Sequence, residues 1–213
     1  MEYQLNRAWA EVDLDSIAHN AREIRKITDR RSEIMGVVKA DAYGHGVMEV
    51  TRTLLDNGVT RLAVATLDEA IQLRNQGIQA PVLILSHTDF VRAHEVAAFG
   101  ITQAVFSRDL ATALSDAAVK LKKDVKIHIK IDTGMTRIGF MPGLDAAEEI
   151  AEISRLPGIV VERIFTHFAS ADERDRSYTN MQFERFMDMC GQLEKLGVHI
   201  PVKHVCNSAG IME

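Results

Sequence analysis

Val125-Lys126-Ile127-His128-Ile129-Lys130-Ile131-Asp132 alternates without a break. Val125, Ile127, Ile129 and Ile131 fall on one face, and Lys126, His128, Lys130 and Asp132 on the other. A period of two over this length is the signature of a β-strand. In a barrel the apolar face would pack against helices and the polar face would point inward; a half-exposed edge strand would alternate in the same way. Working outward from this stretch, short runs rich in Val and Ile recur along the chain. They predict strands over Ala8 to Leu14, Ile34 to Lys39, Arg61 to Ala65, Val82 to Ser86, Thr102 to Phe106, Val125 to Asp132, Val160 to Phe168 and Val202 to Asn207. Amphipathic stretches separate them, and that alternation argues for repeated βα units feeding a parallel sheet.

The intervening segments carry helical signals. From Ser16 to Ile27, residues Ile17, Ala21, Ile24 and Ile27 form one stripe. Thr66 and Glu69 have the spacing of a capping box, ahead of Ala70, Ile71 and Arg74 and a stop at Gly77. Phe183, Phe186, Met187, Cys190 and Leu193 make a further stripe closed by Gly197, and these stripes, with Met187 and Met189, are assigned to the core. No linker, low-complexity segment or short repeat interrupts the chain, so one α/β domain is expected.

Composition narrows the function. The 213 residues carry 25 basic and 30 acidic side chains, a net charge of −5, which gives no reason to expect a nucleic acid as partner. Cys190 and Cys206 show no metal-ligand spacing, and neither do His45, His128 and His204, so no metal is assigned. Residues 1 to 10 have no apolar signal core, and no apolar run reaches the roughly 18 residues that span a bilayer. A cytoplasmic protein without a membrane partner is expected.

Candidate chemistry sits where strands end. Val37-Val38-Lys39-Ala40-Asp41-Ala42-Tyr43-Gly44-His45-Gly46 takes an apolar run to a lysine and then breaks into a glycine-bracketed turn. Walls of Ile34, Met35, Val37 and Val38 would strip water from the ammonium and favour the neutral amine, which can attack an aldehyde. A surface lysine snorkelling at a strand end is the other reading. Past the 125–132 strand, Asp132-Thr133-Gly134-Met135-Thr136-Arg137-Ile138-Gly139 puts Arg137 in a loop, where its planar fork could hold a substrate carboxylate or a cofactor oxygen; a solvated loop arginine is the other reading. Lys130 on the inward face is a candidate for carbamylation. His167 ends the next strand in Thr166-His167-Phe168-Ala169, either as a core histidine or as part of a site. Asn207 and Ser208 lie at a strand end that leads into a helix start, which suits a phosphate or an ordinary cap.

These motifs, with Cys206-Asn207-Ser208-Ala209, occur in the order found in alanine racemases, and from Trp9 to Ser208 the chain resembles the N-terminal part of that family. The resemblance implies a fold-type III enzyme dependent on pyridoxal 5′-phosphate (PLP) that interconverts L-alanine and D-alanine and supplies D-alanine for peptidoglycan. It implies a parallel (β/α)8-type TIM barrel, here incomplete with about seven barrel strands and an open seam. Residues 1–14 would form an N-terminal strand segment belonging to an absent C-terminal β domain, and residues 15–213 the truncated PLP-binding barrel. Lys39 would hold PLP as a Schiff base and act as one catalytic base. Arg137 would bind the substrate carboxylate, Lys130 would support it as a carbamate, and Tyr43, His167, Asn207 and Ser208 would contact the cofactor. A homodimer would supply the opposite-face base. On this reading the isolated chain has little or no activity. The alternatives are a non-catalytic PLP-binding or homeostasis barrel and an inactive, partner-dependent fragment.

Overall fold

A computed structural model describes residues 8–212. Seven strands, β1 (Met35–Val37), β2 (Arg61–Val64), β3 (Val82–Ile84), β4 (Thr102–Val105), β5 (Val125–Lys130), β6 (Ile159–Phe165) and β7 (Val202–His204), form one sheet in chain order. Every neighbouring pair is parallel. Helices carry the chain back between strands: α1 (Leu14–Ile27), α3 (Val47–Asp56), α4 (Leu67–Asn75), α5 (Ala93–Ala98), α6 (Arg108–Leu121), α7 (Leu144–Ile153) and α8 (Ser177–Lys195). A short turn of reversed hand, α2 (Lys39–Gly44), follows β1, and α9 (Ser208–Met212) follows β7. No helix among the described residues is long and apolar enough to cross a membrane.

Side chains show that the sheet is curled. Strands β2 and β6 are four places apart, about 19 Å on a flat sheet at 4.8 Å per step. Yet Arg61 Nη1 lies 3.0 Å from Glu162 Oε2, and Arg163 pairs with Glu33, just ahead of β1. The pairs cross the interior at the strands' N-terminal ends. Among the described residues β7 makes no ladder with β1, so the barrel is incomplete and keeps the expected seam.

The expected alternation of β5 divides two cores. Outside the sheet, Ile127, Ile129 and Ile131 pack with Leu62, Val64, Ile84 and Val105 against helix residues such as Leu73, Leu110, Leu114, Ile150 and Phe186. Inside, Ala63, Leu83, Ala104 and Phe165 form a small cluster with Met35 and Leu85. His128 and His204 continue the interior, the His204 ring stacked on Phe165 at 4.7 Å and its Nε2 3.3 Å from His128 Nδ1. Below them Glu162 accepts from Arg61 and Lys126 and lies 3.1 Å from His128 Nε2. The hydrogen bond to His128, then Arg61 and Lys126, hold the Glu162 carboxyl far below its ordinary range against the opposing effect of burial. Burial pushes both histidines down, toward the neutral ring.

Several expectations change. Residues 8–13 form no strand: none of the described strands pairs with them, and the Asp13 carboxylate accepts from Asp15 N and Ser16 N to start α1 at Leu14. Each of the seven strands ends one to three residues before its expected C-terminal limit, although single backbone bonds such as Val38 N to Ala63 O, Leu85 N to Val64 O and Ile131 N to Phe165 O continue past the assigned ends. Ile27 is 61% exposed instead of core. On α8 the buried stripe is Gln182, Phe186, Met189, Cys190 and Leu193, so Phe183 and Met187, a residue further round, are exposed. The Thr66–Glu69 capping box of α4 is present as expected.

Candidate functional site

The strands' C-terminal ends form the mouth of the half-barrel, and Lys39 begins its most unusual segment. After Val38 N donates to Ala63 O, the backbone of Ala40, Asp41, Ala42 and Tyr43 turns left-handed, with φ from 51° to 58°. None of the four is glycine, and at roughly 1–2 kcal/mol each the run costs about 4–8 kcal/mol unless its surroundings hold it. They do so through several bonds. Ala42 N donates to Val38 O, Gly46 N to Asp41 O, Val47 N to Asp41 Oδ1 at 2.7 Å, and Ala40 N to Glu69 Oε1 at 2.7 Å. The consequence is a half-buried Lys39 whose Nζ stands 5.8 Å from the centroid of the Tyr43 ring. Only part of the expected apolar wall exists. Ile34 and Val38 are buried, whereas Val37 is exposed and Tyr43 is 60% exposed.

The loop after β5 is built by one carboxylate. Asp132 accepts from Gly134 N and Thr136 N on Oδ1 and from Arg137 N on Oδ2, all within 3.0 Å. Burial opposes ionisation of Asp132, and these three donors outweigh it, holding the carboxyl below its ordinary value. The loop then folds back so that Asp132 N donates to Phe140 O and Phe140 N to Lys130 O. This return needs Gly139: a Cβ there would sit 2.4 Å from Asp132 N. Arg137 is thereby presented with its side chain exposed, and among the described residues no carboxylate pairs with it or with Lys39. Lys130 is buried beneath the loop. Its Nζ donates to Ile131 O at 2.6 Å and lies 5.6 Å from the Phe165 ring centroid. Burial, reinforced by Arg137 and opposed by Asp132, brings its amine down to about 8.

His167 follows β6 and is half-buried. Burial, then the positive charges of Arg137, Lys130 and Lys39, push it toward the neutral ring. Those three charges act on one imidazole, so the mouth brings together four of the residues singled out from sequence. Tyr43 stands beside Lys39. Asn207 serves the scaffold, since its Oδ1 accepts from Gly210 N at 3.0 Å and its Nδ2 donates to Phe168 O, which caps α9 and ties it to the loop after β6. Ser208, the first residue of α9, is exposed.

Sequence patterns assign no role to Gln182, which is fully buried on α8. Its Oε1 accepts from Ala169 N at 2.8 Å, while Nε2 donates to His167 O and to Thr133 Oγ1. Thr133 Oγ1 in turn meets Thr166 Oγ1 at 2.8 Å. One amide therefore joins the Arg137 loop to the His167 loop. Tyr178 and Arg185 add hydrogen bonds from the same helix to Gly134 O and Thr133 O. A polar residue at the head of the Phe186-Met189-Cys190-Leu193 stripe was the available signal.

Chemically, the mouth offers a primary amine, an exposed guanidinium, a buried amine with a substantial neutral fraction and a neutral imidazole. Lys39 and Arg137 have no acidic ion-pair partner among the described residues, and the exposed guanidinium suits an anionic ligand. Among the described residues no group of His, Cys, Asp and Glu side chains is placed to hold a metal.

The model of the alanine racemase N-terminal domain family matches residues 12–213. An alanine racemase of Clostridium tetani is 47% identical over 209 residues, covering 98% of this chain and 54% of that protein. The solved alanine racemase of Clostridium difficile 630 superposes with a TM-score of 0.95 at 41% identity, over 98% of this chain and 55% of that one. The Bacillus anthracis alanine racemase, solved with bound L-Ala-P, gives a TM-score of 0.88 at 36% identity over 96% of this chain and 53% of that one. The chain spans about half the length of the curated relatives it matches.

Proposed function

The chain belongs to the alanine racemase N-terminal domain family, and on that premise we propose that it carries the PLP-binding half of an alanine racemase. The observation that supports this best is the placing of Lys39, Arg137 and His167 just past the C-terminal ends of β1, β5 and β6, over the buried Lys130, with no carboxylate paired to Lys39 or Arg137 among the described residues. PLP would bring a phosphate and a phenolate, and alanine a carboxylate; the exposed Arg137 guanidinium suits the carboxylate or the phenolate, and the Lys39 amine suits the aldehyde. When bound, PLP supplies an electron sink that makes the Cα proton of an amino acid labile.

Each residue then has a physical role. Lys39 anchors the cofactor through its amine and, when released, accepts or returns the Cα proton on one face. Arg137 fixes the alanine carboxylate with a two-point fork, which sets the direction of the Cα–H bond. Lys130, with its amine near 8, keeps enough free base to capture carbon dioxide: the nitrogen bonds to carbon, a proton leaves, and the resulting carbamate is an anion for Arg137. His167 would face the cofactor ring, its imidazole pushed toward the neutral form by burial. Tyr43 and Ser208 would hold the phosphate, and Asn207 would support Ser208 by capping α9.

Racemisation requires a second group on the opposite face of Cα. We assign it to the partner subunit of a homodimer, and place the reaction in the cytoplasm. Borohydride treatment of the protein with PLP, followed by peptide mass analysis, is expected to fix the cofactor on Lys39, and D-alanine formation by the protein from its natural gene is expected to vanish in Lys39→Ala. Fixation elsewhere, or racemisation at the normal rate in that variant, would sink the proposal. Fixation on Lys39 with no turnover by the natural protein would instead favour a PLP carrier.

A further inference from the structure

Glu69 does more than its helix requires. A capping box needs one carboxylate oxygen returned to the N-cap, and Glu69 Oε2 meets that need by accepting from Thr66 N at 3.1 Å, with Ala65 N at 2.7 Å as a further donor. Oε1 remains. It accepts from Ala40 N at 2.7 Å, reaching 29 residues back in the chain to the start of the left-handed turn.

Ala40 N belongs to the peptide that begins at the Lys39 carbonyl carbon. On the other side of Lys39, Val38 is fixed by its N–H to Ala63 O and by its carbonyl, which accepts from Ala42 N. Lys39 is therefore held between two anchored peptides, the preceding one by Ala42 N within the turn and the following one by Glu69, with the sheet holding Val38 N just before them. The left-handed run is unfavourable by itself, so its first peptide is where a charge-assisted bond of about 1.5–3 kcal/mol has leverage. Three N–H donors converge on this carboxylate from two loops, β1 to α2 and β2 to α4. An amide cannot replace it, because its NH2 group would face a donor in either orientation.

We propose that Glu69 is a positioning residue for Lys39, tying the start of the left-handed turn to the head of α4 so that the amine is aimed into the mouth. The proposal rests on the assignment of Lys39 as the cofactor lysine. A purely structural Glu69 would only cap α4. Thr66→Ala isolates that role: it removes the hydroxyl that accepts from Glu69 N and leaves Glu69 Oε1 on Ala40. Glu69→Gln disturbs both roles, and Glu69→Asp keeps an acidic cap while falling one methylene short of Ala40.

The test uses the protein expressed from its natural gene and follows the rate at which borohydride fixes PLP on Lys39, beside kcat and KM for alanine and the thermal midpoint. All three variants are expected to lower the midpoint modestly. Glu69→Gln and Glu69→Asp should slow fixation about tenfold, the equivalent of one lost hydrogen bond, and lower kcat with KM within twofold. Thr66→Ala should fix PLP within about twofold of wild type. Wild-type rates in both folded Glu69 variants, or an equal slowing in Thr66→Ala, overturn the positioning role while leaving the cofactor lysine intact. Absence of fixation on Lys39 in the wild-type protein overturns the cofactor assignment itself, and this proposal with it.

Discussion

The two ends of the half-barrel handle charge in opposite ways. At the N-terminal ends of the strands, Glu33 and Glu162 pair with Arg61, Lys126 and Arg163 across the interior. At the C-terminal ends, Lys39 and Arg137 have no acidic partner among the described residues, and the local carboxylates are committed to backbone N–H groups: Asp132 to its own loop, Asp41 to Val47, and Glu69 to Ala40, Ala65 and Thr66. The same residue types thus do different work. Paired charges at the floor hold the curl of the sheet, whereas at the mouth Lys39 and Arg137 are left without an ion-pair partner among the described residues, and the acidic side chains there shape loops.

The largest test of this contrast is Lys39→Ala, expected to reduce racemisation by at least about a thousandfold, in line with loss of a positioned acid–base group, while the thermal midpoint stays near that of wild type. A midpoint that collapses with the activity would mean that Lys39 belongs to the scaffold. Next comes the floor. Glu162→Ala strips Lys126 and His128 of their carboxylate and leaves Arg61 with Glu33 alone, and should cost about 3 kcal/mol, with PLP fixation at Lys39 preserved once the protein is folded. Because Glu162 has a depressed carboxyl in the fold, its stabilisation is complete above the unfolded value near 4.5 and fades as pH falls below it. His128 and His204 are depressed too, so the unfolded chain takes up protons first as pH drops below about 6.5 and stability declines from there. A urea midpoint that is flat from pH 7 to 4 would contradict both.

Gln182→Leu lies between the two regions in character. It leaves Ala169 N and His167 O without their amide partners and should destabilise by about 2 kcal/mol, with weaker alanine binding as the Arg137 and His167 loops loosen; normal KM and normal stability together would show that Gln182 does not hold the loops. The smallest structural effect is expected for Arg137→Met. Its side chain is exposed and unpaired, so unfolding should change by no more than about 0.5 kcal/mol, yet KM for alanine should rise. A large loss of stability would show that the guanidinium has a scaffold role.

Much of the fold was readable because burial on one face imposes a period. The alternation of Val125 to Asp132 correctly separated the helix-facing Ile residues from the interior His128 and Lys130. Ends were less readable, since a strand's last residues are apolar whether or not they stay in the ladder, and Ala8 to Leu14 reads as a strand although nothing pairs with residues 8–13 here. Phe183 and Met187 misled for a similar reason: a helical stripe wide enough to include them is indistinguishable in sequence from the narrower one that Gln182 and Met189 define. Ala40-Asp41-Ala42-Tyr43 gives no sign of a left-handed turn, because its stability comes from partners elsewhere. The floor was hidden as well. One extra residue in β6, opposite Ile127 and His128, brings Glu162 into the ion network, and no pattern within 159–165 announces it.

By itself, the sequence determined the class of fold, the positions of Lys39, Lys130, Arg137 and His167 at strand ends, and through its motifs the family to which those residues point. Local chemistry suffices for that, since periodicity and motif order are properties of neighbouring residues. Only the tertiary structure decided which charges are neutralised and which are left available. It also decided that Glu69 and Gln182, which read as a helix cap and an ordinary polar residue, each join two loops of the site. Hydrogen bonds between loops depend on how the sheet curls, and curvature is set by the packing of the whole chain, not by any one segment of it.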